Sequence, residues 1–152
     1  MSKVENLTKE TFNVEGFTYV DLGLPSRRLW ATENAPGYYT YDEAKAVFGL
    51  NLPKAAALVE LWEECDWTWD NKKKGMTVTG PNGNSIFLPA SGYRYNASGG
   101  LNNVGSNGYY WSYASYSQAY ARNLNVDSGG VYPLGYYYRA YGFSVRPCRE
   151  FV

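Results

Sequence analysis

Between Gly108 and Arg149 the chain reads GYYWSYASYSQAYARNLNVDSGGVYPLGYYYRAYGFSVRPCR, and ten of its sixteen tyrosines fall between Tyr109 and Tyr141. They are interleaved mostly with Gly, Ser, Ala and Asn. An apolar core favours Leu, Ile, Val and Phe. Tyrosine spaced by small polar residues is instead the composition of recognition surfaces, where a stiff ring gives contact area and Ser, Gly and Asn give adaptable hydrogen bonds. A tyrosine buries roughly 150 Å² or more, and the largest exposed apolar patch of a monomer is about 300–600 Å². Half of these rings facing solvent would already make a patch too large to leave without a partner. Paving the inside of an antiparallel sandwich is the competing reading, and it holds for some of them.

The remaining composition excludes several function classes. The 152 residues suit one domain, and the formal net charge is zero. No basic stripe is present, so a nucleic-acid footprint is not expected. Lys72-Lys73-Lys74 lies between Asp70 and Gly75 and reads as a solvated turn. With no histidine, the commonest general base and metal ligand is missing. Cys65 and Cys148 are too few for a disulfide scaffold, and whether they pair stays open. No stretch reaches the ~18 apolar residues of a membrane span, and no signal peptide is visible, so no membrane insertion is expected.

In chain order, residues 1–15 read as an arm or a short strand, and residues 16–152 as the domain. Phe17–Leu22 alternates as a strand, Leu29-Trp30-Ala31 is a second short apolar piece, and Tyr41–Phe48 is a short helix ending at Gly49. Lys54–Cys65 is a second helix that buries Leu58, Leu61, Trp62 and Cys65 at three- and four-residue spacing. Trp67 and Trp69 share one strand face. Thr77–Thr79 and Ser85–Pro89 form a hairpin in which Asn82-Gly83 supplies positive φ. Strands are expected at Tyr109–Tyr113, Ala121–Val126, around Val131 and at Gly142–Arg146, with loops at Ser115–Tyr120 and Pro133–Tyr141. Two helices followed by β-hairpins is an α+β order. Trp30, Leu58, Leu61, Trp62, Trp67, Trp69, Ile86 and Leu88 are the expected scaffold core.

Several motifs together carry a resemblance. They are Tyr19-Val20-Asp21-Leu22-Gly23-Leu24-Pro25-Ser26, Leu29-Trp30-Ala31-Thr32, Trp67-Thr68-Trp69, Val78 to Ala90 (VTGPNGNSIFLPA), Gly92-Tyr93-Arg94, Gly108-Tyr109-Tyr110-Trp111-Ser112 and Gly142-Phe143-Ser144-Val145-Arg146-Pro147. From about residue 17 to its end the chain resembles the Fibrobacter succinogenes major paralogous domain family. That resemblance implies a C-type lectin-like fold, with two helices packed on antiparallel β-hairpins. The tail further resembles the variable regions of proteins diversified by diversity-generating retroelements, several of them receptor-binding proteins of phages. In those systems template adenines are randomised, and Asn codons become codons for residues such as Tyr, Ser, Gly, Asp, Leu and Ala.

The resemblance assigns a variable region at about 108–149 with thirteen ligand-binding positions: Tyr113, Tyr116, Ser117, Tyr120, Asp127, Gly130, Tyr132, Leu134, Gly135, Tyr136, Tyr137, Tyr138 and Tyr141. Gln118 is not reachable from such a codon and counts as fixed. Trp111, Ala121-Arg122-Asn123-Leu124, Phe143 and Val145 are framework. The thirteen are expected together on one exposed face, with Tyr132 and Tyr136–Tyr138 as central anchors. The implied function is recognition of a protein or glycan on a target cell surface, including a bacterial one, by a virion-associated protein where phage-encoded. No catalytic residue, metal or cofactor is expected, and the polar N-terminal arm could serve a homo-oligomer. Two alternatives are a metal-independent carbohydrate-binding domain and a surface adhesin of a gut bacterium. Calcium-dependent sugar binding would need paired oxygen ligands, for which Asn125 and Asp127 are the nearest candidates. An enzyme of the formylglycine-generating kind would need a cysteine pair that the sequence does not supply.

Overall fold

The computed structural model describes residues 4–6, 11–14, 16–96 and 98–150, with side chains from Gly16 onward. The architecture is mixed α+β, mostly antiparallel strands with two short helices. Strands β1 (Val4–Asn6), β2 (Thr11–Val14), β3 (Phe17–Asp21), β4 (Leu29–Ala31) and β13 (Cys148–Arg149) form one sheet in the order β1-β2-β3-β4-β13. The segment expected as an arm or short strand therefore supplies two strands of this sheet. A second sheet is the meander β5 (Asp66–Asp70), β6 (Gly75–Thr79) and β7 (Ser85–Pro89). A third is β10 (Asn107–Ser115), β11 (Tyr120–Asp127) and β12 (Gly130–Tyr138), and a small pair joins β8 (Tyr93–Arg94) to β9 (Leu101–Asn102).

Helix α1 is Tyr41–Phe48, as its pattern predicts, and its start is a capping box. The Thr40 hydroxyl accepts from Glu43 N, and the Glu43 carboxylate accepts from Thr40 N at 2.8 Å. Helix α2 is Ala55–Glu64 and buries Ala57, Leu58 and Leu61. Trp62, expected on that face, is 45 % exposed, and Cys65 is half-buried beyond the last turn. The 3.6-residue turn carries Trp62 past the edge of the stripe that Ala57, Leu58 and Leu61 already fill.

The β6–β7 turn shows why the sequence Gly80-Pro81-Asn82-Gly83-Asn84 stands where it does. Nδ2 of Asn82 and of Asn84 each donate to Asp21 O at 2.9 Å, tying the turn to the end of β3. A Cβ on Gly80 would lie 2.0 Å from Leu22 O, so only glycine permits that approach. Gly83 takes φ +90°, whereas Asn82, expected to share the positive-φ role, does not.

Two apolar clusters result. Leu58 and Leu61 meet Val78, Ile86, Leu88, Trp30, Tyr110, Leu124 and Val126, with half-buried Trp67 and Trp69 against them. The second gathers Tyr41, Phe48, Tyr109, Trp111, Phe143 and Val145. The tail thus contributes to both clusters, and the first hundred residues have no closed core of their own. Residues 142–146, expected as a strand, join their neighbours by isolated bridges (Arg94 to Gly142, Tyr39 to Phe143, Tyr110 to Ser144) and by Ala35 N donating to Val145 O. Buried Arg146 holds this segment down by donating to Asn34 Oδ1 at 2.9 Å and to the carbonyls of Ala31 and Phe87.

Candidate recognition surface

The tyrosines are positioned by the β10–β11–β12 sheet. Asp127 pairs with Gly130 across a two-residue turn, and Asp127 Oδ1 accepts from Gly129 N at 2.8 Å. Val131 to Tyr138 then continue as a strand, although Pro133–Tyr141 reads as a loop from sequence. The edge position of β12 tolerates Pro133, which has no N–H to give. A register shift between Asn123 and Asn125 absorbs the irregularity there.

Because β12 is a strand, consecutive residues face opposite ways. Tyr132, Leu134, Tyr136 and Tyr138 are exposed, while Val131, Pro133, Gly135 and Tyr137 are half-buried. The expectation of one common face therefore fails for Tyr137, which packs edge-on against Tyr109 at 5.6 Å and Phe143 at 5.7 Å.

The thirteen sequence-predicted positions fall into groups, and none of them is buried. Tyr116, Tyr120, Tyr136 and Tyr138 form an outer ladder. Tyr116 and Tyr136 stack at 4.2 Å with 6° between planes, Tyr120 meets Tyr136 edge-on at 5.6 Å, and Tyr120 lies 4.6 Å from Tyr138. The Tyr120 hydroxyl is pushed above its ordinary pKa, first by its hydrogen bond with Tyr138 and then by desolvation. Exposed Ser117 turns the chain between β10 and β11, where Tyr116 N and Ser117 N both donate to Tyr120 O. Tyr137 and Tyr141 belong to an inner group with Tyr93 and Tyr109, where Tyr93 stacks on Tyr141 at 5.2 Å, and exposed Tyr95 touches its rim at 5.5 Å from Tyr141. Tyr138 meets Tyr141 at 5.6 Å and so joins the two groups.

Tyr113 lies apart, against α1, with the Lys45 ammonium 5.0 Å from its ring centroid. Asp127 and Gly130 sit at the far turn, seven residues along β11 from Tyr120, or about 23 Å at 3.3 Å per residue. Tyr132 and Leu134 are exposed between the two ends, and Gly135 lies over Asn123.

Sequence reasoning missed two contributions. Tyr93 and Tyr95 come from the β8 segment, far from the tail in sequence, and their alternate spacing was the available signal. The two arginines are the other. Arg139 donates to Ser117 O at 2.8 and 3.2 Å and to Ser115 Oγ, and stands 4.8 Å over the Tyr41 ring. It fixes the Ser115–Tyr120 turn. Arg122 pairs across from Tyr136 in register and lies 4.4 Å over the Tyr116 ring.

Metal and thiol chemistry find little footing. Among the described residues no group of three or more His, Cys, Asp or Glu could hold a metal ion. The Asp127 carboxylate is engaged in its turn, and Asn125 Oδ1 accepts from Asn107. Both cysteines are free thiols; burial pushes Cys65 up to about 11 and Cys148 up to about 12, so neither is a thiolate near neutral pH. Among the described residues no helix is long and apolar enough to cross a membrane.

The family model of a domain of unknown function, DUF8237, matches residues 63–148, more than half of the chain. The chain belongs to that family. The match runs from the last turn of α2 to the start of β13, so every tyrosine of the ladder and both flanking arginines lie within it. No curated protein and no solved structure matches the chain significantly.

Proposed function

We propose that this DUF8237 protein is a recognition module that presents the tyrosine-rich face of β11 and β12 to a target on another molecule or cell. The observation that carries the reading is the outer ladder. Tyr136 and Tyr138 of the ladder, Tyr116 in the turn beside them and Tyr132 further along β12 are each 47–51 % exposed, over strands whose opposite side is packed by Trp111, Leu124 and Val126. A rigid frame under exposed, low-entropy rings is the arrangement of a paratope. One side of a specific interface covers about 800 Å², and a strip some 23 Å long and three strands wide projects roughly 330 Å² of it. In the same reading the fold is C-type lectin-like, the thirteen positions are the diversified ones, and the protein is the variable protein of a diversity-generating retroelement, carried on a phage particle. The alternation along β12 supports display of Tyr132, Leu134, Tyr136 and Tyr138, while Gly135 and Tyr137 face inward.

Two experiments test this. Sequencing the source locus is expected to show a near-copy of residues 108–149 beside a reverse transcriptase gene; a locus without one removes the diversification part. For display itself, the exposed positions among the thirteen, Tyr116, Ser117, Tyr132, Leu134, Tyr136 and Tyr138, are randomised together on yeast. Most clones are expected to stay as protease-resistant as the parent and to yield binders to an arbitrary protein such as an albumin. Randomising Trp111, Leu124, Phe143 and Val145 instead is expected to abolish resistance. Equal loss from both libraries would sink the recognition reading.

A further inference from the structure

Two arginines stand on this tyrosine face, and they are used differently. Arg139 donates three hydrogen bonds to the Ser115–Ser117 turn and has the Asp42 carboxylate at 4.0 Å. Arg122 donates one, from Nη1 to Leu134 O at 3.2 Å, out of the five N–H donors a guanidinium carries. Among the described residues Arg122 has no carboxylate partner. Its charge lies beside the stacked Tyr116–Tyr136 pair, 4.4 Å from the Tyr116 centroid and 5.9 Å from that of Tyr136. From Asn107 to Tyr141 the sequence contains a single carboxylate, Asp127, five positions along the chain from Arg122. That carboxylate is already engaged by its own turn.

We propose that Arg122 is the fixed anchor of the recognition surface, and that the partner is a protein presenting an aspartate or glutamate side chain to it. This rests on the recognition reading above and adds the chemistry of the partner. A guanidinium is a planar fork of donors, which matches a carboxylate in two-point geometry, and here it stands within cation–π distance of the Tyr116 ring. The ring contact and the hydrogen bond to Leu134 O hold the side chain in advance, so less rotamer freedom is lost on binding. Arginine and tyrosine at the centre of a patch is the composition of binding hot spots. The partner class follows from the ladder's geometry. A sugar ring needs an open aromatic face, and the facing sides of Tyr116 and Tyr136 are closed to one by their stacking at 4.2 Å and 6°. They present edges and hydroxyls, which suit the mixed polar and apolar relief of a protein surface. Variation at the surrounding tyrosines would change which surface is bound, while Arg122 would keep the same acidic contact.

The test uses the whole chain, immobilised, and a random twelve-residue peptide library on phage. Selected peptides are expected to be enriched in Asp or Glu at one position. For such peptides Arg122→Gln is expected to weaken binding roughly tenfold or more, with Arg122→Lys restoring part of it. Binding to the parent is expected to fall as salt rises, and binding to Arg122→Gln much less so. Peptides that lose binding to Tyr116→Ser/Tyr136→Ser, yet show no acidic enrichment and bind Arg122→Gln equally, overturn the anchor while leaving the recognition surface standing. Binding indifferent to the tyrosine pair, or no binders at all, removes both. A glycan array in which acidic sugars bind through Arg122 while the peptides do not overturns the protein partner.

Discussion

The two apolar clusters of this molecule are built from different side chains, and they end differently. The cluster under α2 is mainly aliphatic, with Leu58, Leu61, Val78, Ile86 and Leu88 buried. It stops at polar turns such as Gly80–Asn84. The other is aromatic at its centre, where Trp111 stacks on Phe143 at 4.2 Å. From there it grades outward through half-buried Tyr137 and Tyr141 to exposed Tyr138, Tyr136 and Tyr116. An aliphatic side chain gains only by leaving water, so its cluster ends where solvent begins. A tyrosine packs by face or edge and keeps a hydroxyl wet. Core and display surface are therefore one continuous stack of rings. Depth in that stack, rather than residue type, decides which tyrosine is structural.

The largest effect that could break this contrast comes from the inner end of the stack. Trp111 is fully buried and also donates from Nε1 to Tyr39 O at 2.6 Å. Trp111→Ala is expected to cost about 3–5 kcal/mol in urea unfolding. A loss below about 1 kcal/mol would mean that the aromatic cluster is not a core at all.

The aliphatic cluster should reveal itself by alkaline titration instead. Its Cys148 thiol is held up to about 12 and the Tyr110 hydroxyl to about 12 by desolvation, and Cys65 at its rim is held up to about 11. For each group the folded pKa exceeds the unfolded one, so the folded state keeps its proton longer. The stability they contribute is present below about pH 9 for the thiols and is lost as pH rises toward the folded values. Arg146 works the other way, because burial lowers its pKa to about 10 and its contribution begins there. Between pH 9 and about 10 the thiols thus act alone. Stability is expected to fall there by up to roughly 1.4 kcal/mol per pH unit for Cys148, with a smaller, solvent-screened share from half-buried Cys65. Urea unfolding of Cys148→Ala at pH 8, 9 and 10 checks it; an unchanged slope would place the fall elsewhere.

The sequence was legible where periodicity and burial agree. Tyr41–Phe48 is the predicted helix because Thr40, Glu43 and Gly49 mark its ends with side-chain and backbone chemistry that any fold preserves. The α+β order was visible for the same reason. Misreadings arose where neighbours in space decide. Trp62 matched the helical stripe, but it lies past the edge that Ala57, Leu58 and Leu61 fill, and it is 45 % exposed. Pro133 and Gly135 suggested a loop, yet β12 is an edge strand with a register shift and accommodates both. That one error hid the alternation that sends Tyr137 inward and Tyr136 and Tyr138 outward. Arg122 read as framework because nothing in a sequence tells a paired guanidinium from one left open.

A smaller effect probes the border between core and display. Asn123 is fully buried on β11, and its Oδ1 has no hydrogen-bond partner. The residue across from it is Gly135, where an added Cβ would lie 3.2 Å from that oxygen. A buried acceptor left unpaired costs about 1–3 kcal/mol. Gly135→Ala and Gly135→Ser place the same Cβ at the same spot, with the same gain in backbone entropy, but only serine brings a donor. The serine variant is expected to be more stable than the alanine variant by about 1 kcal/mol in urea unfolding. Equal stabilities would mean that Asn123 is already satisfied and that position 135 belongs wholly to the display surface. A difference of the expected sign would show that the core reaches up to the surface at this position.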